Sequence, residues 1–244
     1  MRGVYGCCLQ ALVMIGGMTG HDPPPHEPHE QAAAEPGIPP AGKWNLVVAA
    51  SDEFDGSALD AAKWKKGLWY DVSGVLAFRP ENIAVSGGNL VLTARKAAWN
   101  GRSHTCGAVE SRFDVPGADS YVEIRARALH RDANVLSAIW LQSSPLTVAS
   151  NPNPEIDIQE TFNYQGVAST LHTWAIDPAE PSPTVPEDYI HTQTPLHEFR
   201  AGVDVSADFH VYGLERSNGK LRFYFDGRLA WEVAPTEPSY VNMP

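Results

Sequence analysis

Cysteine is scarce in this sequence of 244 residues, which contains only Cys7, Cys8 and Cys106. The first two lie in an N-terminal segment with the features of a cleaved leader, and its removal would leave Cys106 without a partner for a disulfide. Lipid attachment at Cys7 or Cys8 is an alternative for that segment. We therefore predict a domain that is held together by core packing rather than by covalent cross-links.

Long apolar runs and excess positive charge are also lacking. The apolar run from Leu9 to Ile15 is too short to span a membrane. The formal net charge of −11 argues against nucleic acid or an anionic membrane surface as the main partner. With Arg2 before the run and small residues up to Gly20 after it, residues 1–20 are predicted to be a secretory signal peptide, with a buried helix as the alternative. We expect a secreted protein, either extracellular or periplasmic.

Motifs for cofactor and nucleotide chemistry are missing as well. The sequence has no Gly-rich phosphate loop, no His/Cys cluster with metal-ligand spacing, no nucleophile elbow and no internal repeat. Residues 21–42 are rich in Pro, His, Glu and Ala without apolar periodicity, which predicts a disordered linker. Residues 43–244 remain as one folded domain, for which we expect no cofactor.

The folded part shows the period of β-strands and no convincing helical pattern. From Tyr121 to Leu129, apolar residues alternate with charged ones, as expected for a strand with one buried face. Gly87 and Gly88 separate two apolar segments, and Asp226-Gly227 separates two others, which indicates hairpins. Repeated short strands with turns between them predict an all-β protein, an antiparallel β-sandwich.

Three carboxylates lie within the segment Pro154–Glu160, which otherwise has the composition of a strand. Regular alternation places Glu155 and Asp157 on one face and Glu160 on the opposite, apolar face, where burial of an unpaired carboxylate would be costly. A one-residue β-bulge near Ile158 would return Glu160 to the side of the other two acids. Three acids on one face repel one another, so an arrangement of this kind indicates that the acids have a function. A pair of carboxyl groups on one exposed face is the geometry of a carboxylate-pair hydrolase.

These residues resemble the signature of glycoside hydrolase family 16, and the resemblance extends from about Ser51 to the end of the chain. Residues 155–160 match the pattern E-[ILV]-D-x-x-E in its bulged form, rather than the E-x-D-x-E form typical of bacterial lichenases. The most similar members are β-agarases and porphyranases. The supporting segments are weak singly, but their shared order around the acids makes the assignment strong: Asp52–Asp60 with Trp64, Glu81–Leu90, Tyr121–Arg127, Ala138–Leu141 and Asp208–Glu215.

The resemblance implies a concanavalin A-like jelly-roll sandwich whose concave sheet forms a cleft for a β-linked glycan. By motif position, Glu155 would be the nucleophile, Glu160 the general acid/base and Asp157 the residue that tunes Glu155. A retaining glycosidase needs one ionised and one protonated carboxyl group, and repulsion among three acids separates their pKa values. We expect an endo-acting enzyme that hydrolyses its substrate with net retention.

Six side chains are candidate sugar contacts, because sugar rings stack on aromatic faces and hydrogen-bond to polar groups: Trp69, Trp140, Phe162, His172, Trp174 and Arg79. Family members place a tryptophan at the position of Trp140 and often a histidine at that of His172. Trp174 would share the face of His172 on a strand. The alternatives are core packing for the aromatic residues and the histidine, and an ordinary surface position for Arg79.

The expected substrate is an algal galactan of the agarose or porphyran type. Laminarin-degrading members usually carry a Trp-Pro-Ala-[FI]-Trp stretch before the acids, whereas Asn134–Ser143 is closer to agarases, porphyranases and carrageenases. The loop Ser143–Pro154 could reshape the sugar subsites. A β-1,3-glucanase of the same family is the alternative, and the negative net charge mildly disfavours a densely sulfated substrate.

Two other functions compete with hydrolysis: a non-catalytic glycan-binding module on the same fold, and structural calcium binding by the acids. The second fits poorly, because three acids on one strand do not wrap around a calcium ion. Family members usually continue beyond the segment that matches Arg228–Pro244, so we expect C-terminal strands to be missing and leave a structural calcium site unassigned. We expect a monomer that binds a polysaccharide.

Overall fold

Two stacked β-sheets form the body of the protein in a computed structural model. The structure describes residues 7–9, 44–115, 117, 119–130, 133, 135–142, 153–161, 166–179, 189–195, 197–235 and 240. The described part of the chain contains no helix with the length and apolar character that a membrane crossing requires.

The strands are short and follow one another closely along the chain. Two single-turn 3₁₀ segments, Val48–Ala50 and Pro80–Asn82, interrupt them. In chain order the strands are β1 (Cys7–Leu9), β2 (Trp64–Lys66), β3 (Val72–Ser73), β4 (Leu76–Phe78), β5 (Ile83–Ser86), β6 (Asn89–Leu92), β7 (His104–Cys106), β8 (Val109–Ser111), β9 (Ser120–Ala126), β10 (Ser137–Gln142), β11 (Asn153–Thr161), β12 (Gly166–Ile176), β13 (Tyr189–Gln193), β14 (His197–Arg200), β15 (His210–Ser217), β16 (Lys220–Phe225) and β17 (Arg228–Val233).

Two of the sheets are large. One has the order β1-β10-β11-β12-β13, and β14 also pairs with β12. The other has the order β17-β16-β15-β9. Within both sheets the pairings are antiparallel except for that of β1 with β10. The predicted antiparallel sandwich is confirmed.

Side chains from both large sheets meet in one apolar core. On β16 every second residue is buried, namely Leu221, Phe223 and Phe225. Ile139 and Leu141 of β10 enter the same core from the other sheet. Period-two alternation in the sequence therefore assigns the inner face of these strands.

The opposite face of β10 packs on a second, smaller apolar cluster. Its buried members are Leu68, Leu76, Phe78, Cys106, Ala108, Ala138 and Trp140. Because Ala138 and Trp140 alternate with the two core residues of β10, this strand is covered on both faces. The second cluster thus fixes β10 at the place where it borders the acidic strand β11.

The turns predicted from glycine pairs are present. Asp226 and Gly227 have φ values of 45° and 72°, as a two-residue hairpin between right-twisted strands requires. Gly87 and Gly88, with φ values of 58° and 70°, join β5 to β6 in the same way. Both hairpins are confirmed.

Part of the predicted leader is placed against the sheet. Cys7–Leu9 pairs in parallel with Ser137–Ile139 of β10. The signal peptide over residues 1–20 stays a prediction, and its cleavage would uncover this edge of β10. The predicted linker, residues 21–42, lies outside the described residues, as does the C-terminal segment 241–244.

The core position of Leu214 yields a test of this packing. Leu214 on β15 is 0% exposed, whereas Leu229 on β17 is 54% exposed. Replacing Leu214 by Ala should cost about 2–5 kcal/mol of unfolding free energy through lost burial and cavity formation. Leu229→Ala is the matched control and should change it by no more than about 0.5 kcal/mol. Urea unfolding measures both, and equal effects would contradict the described core.

Candidate active site

A bulge in β11 brings its acids to one face. Trp140 of β10 pairs with Asp157, whereas the preceding Ile139 pairs with Gln159, so Ile158 is an extra residue on β11. The pairing of β11 with β12 is irregular at the same place. The predicted bulge is confirmed, and all three acids of β11 line one cleft.

The bulge turns Gln159 inward instead of Glu160. Gln159 is 2% exposed. Its side-chain amide donates to the carbonyl oxygen of Ser137, at 3.2 Å, and to the hydroxyl of Thr161. A buried amide costs little once it is hydrogen-bonded, whereas a buried unpaired carboxylate costs several kcal/mol. The residue types on β11 therefore suit the bulged register.

The cleft combines these acids with aromatic and small side chains. Its described lining consists of Trp69, Tyr70, Ser73, Leu136, Ala138, Trp140, Gln142, Glu155, Asp157, Glu160 and Trp174. The flat faces and polar groups suit a sugar ring, and this described lining contains no lysine or arginine.

Glu155 has two hydrogen-bond donors on one oxygen. The side-chain amide of Gln142 and the indole N–H of Trp174 both donate to its Oε2, the latter at 3.1 Å. Burial raises the pKa of Glu155, and the neighbouring Asp157 and Glu160 raise it further. The two donors act in the opposite sense, because they stabilise the ionised form.

The ionised form of Glu160 is stabilised by fewer hydrogen bonds than that of Glu155. The hydroxyl of Thr170 donates to its Oε2 at 3.4 Å. Burial, followed by repulsion from Asp157, raises the pKa of Glu160 to about 8. Burial also raises the pKa of Asp157. The hydrogen bonds thus distinguish the two acids: Glu155 has two donors that favour its ionised form, whereas Glu160 has one long contact with a hydroxyl.

His172 of β12 approaches the acids from the neighbouring strand. Its Nε2 lies 2.7 Å from Oδ2 of Asp157. The contact lacks hydrogen-bond alignment, and that buried oxygen has no hydrogen-bond partner among the described residues. It is a close electrostatic contact, and a positive charge on His172 would lower the pKa of both Glu155 and Glu160.

The three candidate tryptophans all reach the cleft, but in different ways. Trp174 contacts Glu155 through its indole N–H. Trp69 donates to Oε1 of Gln142 at 3.3 Å and is partly exposed. Trp140 is only 5% exposed and belongs to the second apolar cluster, so it is a core residue with one side on the cleft.

Arg79 is absent from the described lining of the cleft. Its guanidinium lies 3.4 Å from the centre of the Trp99 ring and forms an ion pair of 2.8 Å with Glu81. The sugar contact of Arg79 stays a prediction. Phe162 lies outside the described residues, so its place in the cleft also stays a prediction.

Two polar residues near the acids were not among the sequence candidates. Gln142 lies two residues after Trp140 on β10, so strand alternation from Trp140 would have indicated it. His191 of β13 places its Nε2 at 2.6 Å from Nδ1 of His172. No local pattern identifies His191, because its contact with His172 depends on the pairing register of β12 with β13.

One group of side chains is close enough to ligate a metal ion. Within the described residues, ligand atoms of Glu155, Asp157 and His172 lie within 4.8 Å of one another. Calcium prefers six to eight oxygen ligands, so a set with an imidazole nitrogen does not suit it. The same three groups suit proton transfer and charge stabilisation.

A β-sandwich with three acids and several tryptophans in one cleft, and with unequal hydrogen bonding of two of the acids, is typical of glycoside hydrolases. The family model of the β-porphyranase A–D domain, within glycoside hydrolase family 16, matches residues 44–242. The chain therefore belongs to glycoside hydrolase family 16, a family of O-glycosyl hydrolases. Its bulged acidic signature and jelly-roll fold agree with this assignment.

Individual relatives support the family. The chain is 33% identical over 209 residues to a β-glucanase of Rhodothermus marinus, covering 78% of this chain and 65% of the relative. It is 27% identical over 226 residues to a κ-carrageenase of Pseudoalteromonas carrageenovora, covering 83% of this chain and 55% of the relative. The chain thus spans between half and two thirds of these curated relatives. The crystal structure of porphyranase B from Zobellia galactanivorans shares the fold, with a TM-score of 0.61 and 23% identity. The match covers 89% of this chain and 84% of porphyranase B.

The raised pKa of Glu160 predicts a pH-dependent stability. Its pKa is about 8 in the folded protein, against about 4.3 in an unfolded chain. As the pH rises between these values, the unfolded state loses this proton first, so the unfolding free energy falls. Glu160→Gln should remove this contribution, which is on the order of a few kcal/mol by pH 8.

Urea unfolding at about pH 5 and about pH 8 measures the effect. The control is Glu198→Gln, which changes an exposed carboxylate on β14 of the same sheet. The unfolding free energy should drop less with pH in the Glu160 variant than in the wild type or in the control. Equal pH dependence in all three proteins would contradict the described environment of Glu160.

Proposed function

We propose that this protein is an endo-acting, retaining glycosidase that hydrolyses a β-linked algal galactan. The observation that carries the proposal is the set of three acids on one face of an aromatic cleft, with unequal hydrogen bonding of Glu155 and Glu160. Membership of family 16 supports it, since the matching model describes porphyranases and one relative is a carrageenase.

The chemistry assigns a distinct step to each acid. A carboxylate oxygen of Glu155 attacks the anomeric carbon while Glu160 donates its proton to the leaving glycosidic oxygen. The sugar is then an ester of Glu155, and Glu160 is a carboxylate. Glu160 next takes a proton from water, the water oxygen attacks the anomeric carbon, and Glu155 leaves as a carboxylate.

Asp157 lies between the two acids along β11 and acts on both through its charge. Repulsion from Asp157 raises the pKa of Glu160, which helps Glu160 to keep the proton that it donates. The same repulsion raises the pKa of Glu155, where the donors Gln142 and Trp174 counteract it. Asp157 therefore helps to separate the roles of the other two.

The charges of the cleft favour a galactan that is uncharged near the cleaved bond. The described lining has three acids and no lysine or arginine. By sequence, the neighbouring segments 143–152 and 162–165 contain none either. Placing a sulfate ester beside this acidic cluster without a cation would be unfavourable. We therefore favour agarose-type repeats over densely sulfated ones at the subsites that flank the acids.

Action outside the cell is also part of the proposal. A polysaccharide of this kind is too large to cross a membrane, so its endo-hydrolysis has to take place on the outer side. The leader pattern in residues 1–20 agrees with export.

Double displacement predicts both a stereochemical outcome and the effect of one substitution. Proton NMR should show that the first-formed product has the same anomeric configuration as the substrate. Glu155→Gln should lower reducing-sugar release by at least about 10³-fold, because it removes the nucleophile and keeps the shape. Binding of the polysaccharide, measured by affinity electrophoresis, should persist.

Glu198→Gln is the control for that variant and should retain full activity. Formation of the inverted anomer would refute the retaining mechanism. Persistent hydrolysis by Glu155→Gln would refute the role of Glu155, and a wild type that binds glycans without cleaving them would be a binding module instead.

The lining charges predict an order among substrates. Agarose should be cleaved with a higher kcat/KM than porphyran or κ-carrageenan, and laminarin should be cleaved least. The measurement is reducing-sugar release on the four polymers at equal mass concentration, with product sizes by chromatography to establish endo-action. A preference for the sulfated polymers would refute the electrostatic argument, and a preference for laminarin would identify a β-1,3-glucanase.

A further inference from the structure

His191 contacts two residues that support the acids, namely Trp174, which lines the cleft, and His172. On the paired strands β12 and β13, His191 is opposite Trp174, and His172 is opposite Gln193. The rings of His191 and Trp174 stack with centroids 4.1 Å apart at 18°. The rings of His191 and His172 are nearly parallel, at 17°, and Nε2 of His191 lies 2.6 Å from Nδ1 of His172.

This position connects solvent with the buried end of the site. His191 is exposed, His172 is partly exposed and Asp157 is 4% exposed. Nε2 of His191 lies 2.6 Å from Nδ1 of His172, and Nε2 of His172 lies 2.7 Å from Oδ2 of Asp157. His191 also stacks on Trp174, which donates to Glu155. The exposed imidazole of His191 therefore contacts His172, the neighbour of Asp157, and Trp174, the neighbour of Glu155.

The short contact between the imidazoles restricts their hydrogens. Two nitrogens at 2.6 Å share one hydrogen, because two N–H groups or two lone pairs would repel each other. If His172 is neutral with its hydrogen on Nε2, its Nδ1 accepts from Nε2–H of His191. If His172 is a cation, it donates to a bare Nε2 of His191. In a third state, neutral His172 donates from Nδ1 to a bare Nε2 of His191, and the lone pair on its own Nε2 then faces the Asp157 carboxylate at 2.7 Å, which the charge of an ionised Asp157 disfavours. The other two states both place a hydrogen on the His172 nitrogen that faces Asp157.

The surroundings favour the same arrangement. Burial, together with the nearby His172, lowers the pKa of His191, which favours the neutral form of His191. Among the described residues, the titratable groups that act on His172 besides His191 are the acids of β11: Glu155, Asp157 and Glu160. An ionised carboxylate among them attracts a hydrogen towards Nε2 of His172, the nitrogen that lies 2.7 Å from Asp157.

We propose that His191 is a positioning residue that sets the tautomer of His172 and keeps a hydrogen on its Nε2, facing Asp157. The effect on rate rests on the proposed glycosidase function, whereas the effect on the imidazole of His172 does not. Without His191, Nδ1 of His172 can take the hydrogen from solvent, and a lone pair then faces the Asp157 carboxylate.

Two substitutions of His191 separate ring stacking from hydrogen bonding. His191→Phe keeps an aromatic ring on Trp174 and removes the Nε2 that contacts His172. His191→Gln lacks the ring but supplies a side-chain amide that can hydrogen-bond to Nδ1 of His172. The matched control is His197→Phe, since His197 also stacks on a tryptophan of the same domain, with centroids 4.9 Å from Trp231 at 12°. Trp231 is not among the described residues that line the cleft, whereas Trp174, on which His191 stacks, is.

Nitrogen-15 NMR of the histidine side chains in the intact protein reads the tautomer directly. In the wild type and in His197→Phe, neutral His172 should carry its hydrogen on Nε2. In His191→Phe its two nitrogen shifts should move towards each other, as in a mixture of tautomers. On the best substrate, kcat of His191→Phe should fall about tenfold, with KM changed less than twofold and the pH profile of kcat displaced; His191→Gln should recover most of the loss.

An unchanged His172 tautomer in His191→Phe would overturn the proposal, as would an equal change in His197→Phe. If His191→Phe does not fold, the nitrogen shifts of His191→Gln decide, since loss of the wild-type tautomer despite an available amide would overturn it. If the wild type hydrolyses none of the polymers, the proposed function fails, but the NMR comparison still decides the role of His191.

Discussion

The burial of three carboxyl groups along one strand is the constraint on which the rest of this site depends. Each of the acids on β11 has a raised pKa because water is excluded from it, and each raises the cost of charge on its neighbours. The strand can hold them because its bulge directs an amide, Gln159, into the protein in place of Glu160. Neighbouring strands then provide hydrogen-bond donors to Glu155 and place the imidazole of His172 beside Asp157. Burial raises the pKa of all three acids, and these unequal contacts make their environments different.

The donors are only useful if they stay in place, and the second apolar cluster has that effect. Gln142 follows directly on the part of β10 that is covered on both faces. Its side-chain amide joins Trp69 to Glu155, because the oxygen accepts from Trp69 and the nitrogen donates to Glu155. Trp174 is held between its bond to Glu155 and the ring of His191. Side chains that are fixed by packing at both ends cost little entropy when substrate binds, which is what a preorganised site requires.

Strand alternation and turn chemistry were sufficient to predict the sandwich, its hairpins and the bulge, because each of these follows from local residue types. The clearest case is Glu160, whose position on the apolar face of a regular strand conflicted with its charge and thereby indicated the extra residue. Contacts across strands were harder to predict. His191 reaches His172 through a register that the intervening loop sets, and Arg79 finds Glu81 and Trp99, which no pattern around Arg79 indicates.

The number of negative charges that Glu155, Asp157 and Glu160 can hold together depends on the charge of the neighbouring His172. With no lysine or arginine in the described lining, a second ionised carboxylate beside Glu155 has to be balanced by His172. When His172 is a cation, Asp157 can ionise, and the repulsion that raises the pKa of Glu160 is then partly offset by the same cation. When His172 is neutral, ionisation of Asp157 becomes unfavourable, and Glu155 holds the cluster's one favourable charge. A positive charge on His172 would therefore lower the pKa of Glu160, although His172 contacts Asp157 rather than Glu160.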